Sequence, residues 1–434
     1  MTGYSLSVHI ILASIGIALP VIMLLAEYVS IRFNDKDFEL LSKRISIAFV
    51  ILFALGTASG TLVALELLLV WPKFMAFISQ VAILPFYIEV FAFFMESIFI
   101  GIYIYSWGKF RNRMLHLASG IPIAVGGALS AVLITMINAF MNTPNGFDVQ
   151  AYLKGGTITG VMPFAVFSTP STALEVSHVL ATAYLAGILI FVAYMAFMLS
   201  RTGAENSKRY YRKAIRLAMV VGIIALAASI VTGLMSISAL MHLQPEKFAA
   251  IEGNIYPQSY APERIGGIPV NGSLEYYIAL PSMQSILATG SASGAVPGLS
   301  SYPRSTWPPL IIHLMFDLMF GAAVLLGLIF AYVVLQYLIK RRPLYSRLCL
   351  WLLMLSGLLS VFALEDGWIM EELGRQPWII YNVMLVSQAA NQAHALSPVA
   401  MFIFAFYIAV LPATVFAILR IFKGRPLEGE LASR

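Results

Sequence analysis

Apolar runs of about 20 residues or more recur along the chain, near 5–28, 46–71, 81–107, 115–141, 173–200, 215–240, 310–339, 347–366 and 396–421. A run of that length crosses the roughly 30 Å hydrocarbon core of a bilayer as an α-helix, and a helix satisfies its own backbone hydrogen bonds where no water can. None shows the two-residue alternation of a membrane β-strand. The expected fold is therefore an all-α integral membrane bundle of about nine transmembrane helices, a single membrane domain over 1–434. Composition agrees: mean hydropathy is +0.85, with 60% apolar and only 11% charged residues, too few for a solvated globule. The first run lacks the basic start and the cleavage site of a secretion signal and is too long for its apolar core, so it counts as a span.

Basic residues collect in alternate loops: Arg32, Lys36, Lys43 and Arg44; Lys109, Arg111 and Arg113; Arg201, Lys208, Arg209, Arg212, Lys213 and Arg216; Lys340, Arg341, Arg342 and Arg347; Arg420, Lys423 and Arg425. Cytoplasmic loops carry such an excess, which puts the N-terminus outside and the C-terminus in the cytoplasm. The net charge of +6 is thereby explained without nucleic acid. Two outer loops are long, about 142–172 and 241–309, and the second, rich in Gly, Pro and Ser, reads as a functional surface loop. Cys349 is the only cysteine, which excludes disulfides, thiolate clusters and Cys-x-x-Cys-His haem attachment. A redox cofactor would have to be held by His, Met or carboxylate.

Ionisable groups inside spans are costly and mark function. They are His9, Glu27, Glu66, Glu89, Glu96, Glu175, His178, Asp317, Glu365 and Asp366. His9, Glu89, His178, Met319 and Glu372 all fall toward the outer leaflet, a sorting not expected of random structural acids. Glu89 and Glu96 share a helix face, about 10 Å apart along the axis. That suits a proton relay with Ser97, Ser130 and Asn138, or a packing pair satisfied by hydroxyls. His116, His242, His313 and His394 read as hydrogen-bonded packing residues. Imidazole and thioether suit a low-spin haem iron, which makes His178 with a methionine plausible, but the chain has 20 methionines and chemistry alone does not choose among them.

The most specific segment is EDGWIMEELGRQPW, 365–378, followed by QPEKFAAIE, 244–252, IEVFAFFMES, 88–97, LSAVLITMINAFMNTP, 129–144, and His178 within EVSHVLATAY. Together and in this order they resemble subunit I of the cytochrome bd-type quinol oxidases, over most of the chain up to GRQPW. The resemblance implies axial ligation of a low-spin haem b by His178 and Met319. It implies that His9 and Glu372 ligate two high-spin haems, in an order left open, one a haem b and the other haem d or a further haem b. Glu89 would lie close to the His9 site and Trp368 beside Glu372, with Arg375 and Gln376 in the cofactor-binding turn. Lys247 and Glu252 would serve quinol in an extracytoplasmic loop, 241–309, between the sixth and seventh spans, while Glu96 and Ser130 belong to a proton path from the cytoplasm.

The activity implied is oxidation of membrane quinol and reduction of O2 to water, electrogenic without proton pumping. The setting is a multi-pass protein of the prokaryotic cell membrane, paired with a subunit II and leaving room for a small third subunit. In this reading Glu372 ligates iron with one side open to gas, Arg375 pairs with haem propionates, and Pro377 and Trp378 turn the chain along the interface. Departures are visible. Glu89 and Glu96 are seven apart rather than eight, Asp317 stands where an arginine is common, Glu66 where glutamine is usual, and Ala64 where an acid is expected. The Gly-Asp pair ahead of the quinol loop is also missing. Two other readings use the same residues: a haem protein for electron transfer or gas sensing, and a proton-coupled transporter, which would be colourless and for which no inverted repeat is visible.

Overall fold

The computed structural model describes residues 2–340, 346–391 and 397–432. Arg341, Arg342 and His394 lie outside them, as does the side chain of Lys340. The order is α1 Thr2–Phe33, α2 Lys36–Val70, α3 Pro72–Val81, α4 Leu84–Tyr105, α5 Arg113–Asn142, α6 Val149–Gly155, α7 Thr172–Arg201, α8 Glu205–Leu243, α9 Pro245–Ile251, β1 Glu263–Val270, β2 Ser273–Leu280, α10 Met283–Thr289, α11 Ile311–Lys340, α12 Arg347–Gly374, β3 Trp378–Ile380, β4 Met384–Leu385, α13 Val386–Ala389, α14 Ser397–Lys423 and α15 Leu427–Ala432. Among the described residues nine helices are long and apolar enough to span: α1, α2, α4, α5, α7, α8, α11, α12 and α14.

Helix association in lipid rests on close packing rather than on hydrophobic exclusion. The α1–α7 crossing shows it: a Cβ on Gly187 would stand 2.3 Å from Ser14 O and 2.5 Å from Ala18 Cβ. On its other side α7 meets α12 at Gly357, whose Cβ would lie 2.6 Å from that of Ala193. Leu12, Ile22, Met23, Ile188, Leu189 and Val192 fill the centre with little or no exposure.

The basic loops meet at one end of the bundle. Asp35 caps α2 by accepting from Asp37 N and Phe38 N, and Lys213 reaches both Asp35 and Asp37, at 2.6 and 2.8 Å. Arg209 adds a second cation on Asp37, 2.8 Å away, and Arg44 pairs with Glu430 of α15. The opposite end carries α3, α6, the 244–310 segment and the β3–β4 ribbon.

Three sequence-based edges move. The eighth span continues through IMEELG, all good helix formers but the glycine, so Glu371 and Glu372 sit in the last turn of α12 instead of following it. The third run, expected from 81, begins as α4 at Leu84, after a break at Ala82–Ile83 that ends the short α3, with Pro85 at the start of α4. The long loop is more ordered than its composition suggests, since β1 and β2 form an antiparallel hairpin. Its turn is Asn271–Gly272, both at positive φ (51° and 84°), the pairing that matches strand twist.

Candidate functional site

Two histidines have their tautomers fixed by neighbours. His9 Nδ1 lies 2.8 Å from Ser59 Oγ, and that hydroxyl gives its hydrogen to Gly56 O at 2.7 Å. Ser59 can therefore only accept, so Nδ1 carries the proton and Nε2 keeps its lone pair. His178 repeats the arrangement on different helices: Nδ1 to Thr232 Oγ1 at 2.9 Å, with Thr232 donating to Ala228 O at 2.8 Å. Both rings lie against glycine. A Cβ on Gly60 would come within 3.0 Å of His9 Cε1, and one on Gly233 within 3.3 Å of His178 Cε1. Met319 of α11 has the same relation to α12, its Sδ being 3.0 Å from where a Gly367 Cβ would stand.

At the end of α12 the EELGRQPW turn closes a polar network centred on Asn142, the last residue of α5. Asn142 Nδ2 faces Asn138 Oδ1, Glu175 Oε1 and Glu371 Oε1 at 3.1, 2.9 and 2.7 Å, and Oδ1 receives Arg375 Nη1 at 3.0 Å. Gln244 Nε2 approaches the same oxygen, at 3.3 Å. Glu371 pairs with Lys247 of α9 at 2.6 Å. Glu372 receives Arg375 Nη2 at 2.6 Å and Asn138 Nδ2 at 3.1 Å. Both Glu372 oxygens thus accept, which fixes the carboxyl group in place. Its side chain is 42% exposed while that of Arg375 is 1% exposed. The acid is anchored from one side and open on the other, as a ligand must be. Arg375, expected on haem propionates, contacts Glu372 and Asn142. Trp368 is half-buried one turn before Glu372, and Gln376 leads into the cis Gln376–Pro377 bond.

The relay residues lie on α4. Ser130 of α5 donates to Glu89 Oε1 at 2.7 Å. Glu96 is buried and faces the α4–α5 crossing, where a Cβ on Gly127 would be 3.3 Å from its Oε1. No cation pairs with either acid among the described residues. Asn138, read with this relay, instead contacts Glu372.

Lys247 and Glu252 sit at the two ends of α9, both almost fully buried. Burial first, then Glu263 and Asp317, push the Glu252 carboxyl well above the usual carboxylate range. Arg264 bonds Asn254 Oδ1 at 2.6 Å beside it. His313 is a satisfied packing histidine, with ring nitrogens 2.6 Å from Ile251 O and 2.8 Å from Gly266 O, and Gly266 N donates to Asp317 Oδ2 at 2.6 Å. Asp317, where an arginine was expected, therefore ties the hairpin to α11. His242 is exposed.

These donors fit haem. The iron takes imidazole, thioether or carboxylate along its axis, and bare Nε2 atoms on His9 and His178, a thioether and an open carboxylate provide them. Buried atoms without partners include both oxygens of Glu66 on α2, Asp366 Oδ2 on α12 and Trp378 Nε1 on β3.

The family model for cytochrome bd terminal oxidase subunit I matches residues 1–426. The chain belongs to this family. It is 34% identical, over 99% of its length and 96% of the relative, to a Bacillus subtilis (strain 168) protein named as a cytochrome bd menaquinol oxidase subunit I. A second protein of that organism, cytochrome bd ubiquinol oxidase subunit 1, is 28% identical over 88% of this chain and 83% of its own. The solved bd oxidase of Geobacillus thermodenitrificans superposes with a TM-score of 0.91 at 36% identity, covering 98% of this chain and 97% of that one. Membership makes this a respiratory terminal oxidase subunit, with haem as cofactor and a second subunit as partner, in a multi-pass protein of the prokaryotic membrane.

Sequence reasoning missed Asn142 as the hub, although it lies within the quoted MINAFMNTP segment. It also gave no role to Glu371, whose signal was its place four residues before Arg375.

Proposed function

We propose that this chain carries the haems of a quinol:oxygen oxidoreductase that oxidises two quinols per O2 and forms two waters, separating charge without pumping. The observation that supports it most is the pair of histidines whose Nε2 atoms are left bare by a hydroxyl acceptor on Nδ1. Haem held by His178 with Met319 (low-spin b), and by His9 and Glu372 (high-spin b, with d or a second b), would supply electron storage and oxygen reduction.

The protein's own part is to bind, orient and move protons. Ser59 and Thr232 hold the imidazoles in ligating orientation, raising their basicity. Arg375 and Asn138 hold the Glu372 carboxyl group in position. The 241–309 loop receives quinol, with Lys247 fixed by Glu371 and Glu252 accepting a quinol proton for release outside. Glu96 and then Glu89, steadied by Ser130, bring protons from the cytoplasmic side, where the basic loops gather. Charge separation follows because protons leave on one side and enter from the other.

The test is the purified complex in sealed vesicles with an internal pH indicator, given reduced quinol. The expected result is O2 uptake with one proton consumed on the inner side per electron. Proton movement without O2 uptake contradicts the reading.

A further inference from the structure

Beyond the Glu89–Glu96 relay, α4 continues the same face. Tyr103 follows Glu96 by seven residues, as Glu96 follows Glu89, so the three form a stripe with steps of about 10 Å. Helix α5 accompanies it: Ser130 bonds Glu89, Gly127 faces Glu96, and a Cβ on Gly120 would be 2.9 Å from the Tyr103 ring. At the basic-loop end the stripe enters a buried cluster that the oxidase reading leaves without a role.

Tyr103 OH donates to Glu27 Oε2 at 2.6 Å, so Ser42, 2.9 Å from the same hydroxyl, must donate to it. Glu27 Oε1 lies 2.6 Å from His116 Nδ1. His116 Nε2 faces the Tyr103 carbonyl at 2.9 Å, and a carbonyl only accepts, so Nε2 carries a hydrogen. The Oε1–Nδ1 contact must then be bridged by one further proton, written equally as carboxylate with imidazolium or as carboxylic acid with imidazole. That proton is the one in the cluster that can leave without breaking any other bond.

Access to it is graded. Arg113, with a 40% exposed side chain, bonds Ser30 at 3.0 Å and approaches Glu39 at 3.5 Å; Lys43, 36% exposed, holds Glu39 at 2.9 Å. Lys43 also sits over the Trp107 ring at 4.8 Å, and Trp107 packs against His116 with centroids 4.2 Å apart and the rings tilted by 47°. Trp107 Nε1 is buried without a partner, a donor suited to a passing water. The His116 and Glu27 side chains behind it are 4% and 1% exposed. Polar groups thus run from solvent to a buried protonated pair at the foot of the Glu96 stripe.

We infer that Glu27, His116 and the Tyr103 hydroxyl form the proton-loading station through which protons from the basic-loop side reach Glu96. One proton enters the Glu27–His116 bridge from the Glu39–Arg113 side as one leaves toward Glu96. Tyr103 accepts from Ser42 and donates to Glu27 throughout, holding the carboxyl group in place, and neither hydroxyl loses its proton. No redox change occurs at the station, and water carries the proton across the step to Glu96. This inference rests on the oxidase reading above, in which protons for water are drawn from that side.

The test uses the haem-loaded complex with its second subunit, comparing wild type, Glu27→Gln, Glu27→Asp and Tyr103→Phe for haem spectrum, quinol-driven O2 uptake and its H2O/D2O ratio. Glu27→Gln is expected to keep the haem spectrum, slow uptake at least ~10-fold and raise the isotope ratio, with Glu27→Asp recovering much of the rate. In a Glu96→Gln background Glu27→Gln should cost nothing more, because the two act in series. Wild-type rate and isotope ratio in Glu27→Gln overturn the inference and leave a packing cluster. Should Glu27→Gln fail to assemble, Tyr103→Phe decides in the same way, since it keeps the ring against His116 and removes only the hydroxyl. A wild-type complex that takes up no O2 with quinol overturns the oxidase reading and this inference with it, whereas an active wild type with unaffected variants overturns this inference alone.

Discussion

The network at the end of α12 and the acid stripe on α4 handle carboxylates in opposite ways. Around Asn142 each α12 acid has a cation: Glu371 has Lys247 and Glu372 has Arg375. On α4, Glu89 has a hydroxyl and Glu96 a glycine-lined crossing. A paired carboxylate keeps its charge and its position, as a ligand anchor requires. A buried carboxylate without a cation is not locked in its charged form, because burial works against the charge. The difference separates residues that hold something from residues that pass something on.

Four substitutions test that division, in falling order of effect. Glu372→Ala should abolish O2 uptake while the low-spin haem signal of the His178–Met319 pair survives; difference spectra with an oxygen electrode check both. Lys247→Met removes the cation from Glu371, whose side chain is 26% exposed, and should lower the stability of the complex. Thermal denaturation of the complex should show the loss, and adding Glu371→Leu should recover stability but not turnover. Glu96→Gln should cut steady-state uptake by on the order of 100-fold with stability nearly unchanged, the converse of the Lys247 result. Equal instability in the two variants would erase the contrast.

The smallest effect concerns pH. Glu252 is held protonated to an unusually high pH by burial and then by Glu263 and Asp317, so as a proton acceptor it works only above that point, and quinol oxidation should rise with pH through it. Glu263→Gln removes the acid that, after burial, does most to raise the Glu252 carboxyl, and should move this rising limb to lower pH, as a pH–rate series on the two proteins would show. A limb shifted upward, or not at all, separates Glu252 from the proton step.

Which parts were legible in the sequence follows the same division. The spans were readable because hydrocarbon demands long apolar helices, and Glu89, Glu96, His9 and His178 stood out because each is expensive there. The end of α12 was misjudged: Glu371 and Glu372 lower hydropathy without lowering helix propensity, so an apolar window stops at about 366 while the helix runs to Gly374. Asn142 was invisible as a hub because its partners come from α7, α9 and α12, and no local pattern announces a three-way meeting. The hairpin at Asn271–Gly272 carried its own turn signal, outweighed by the Gly and Pro content around it.

The most direct measurement is the dithionite-reduced minus oxidised spectrum of the purified complex, repeated under carbon monoxide. A b-type band from a low-spin centre together with CO-responsive high-spin features is the predicted result, with any band red-shifted beyond the b region assigning haem d to one site. A preparation of intact, folded complex with no haem signal would contradict the assignment of His9, His178, Met319 and Glu372 as ligands.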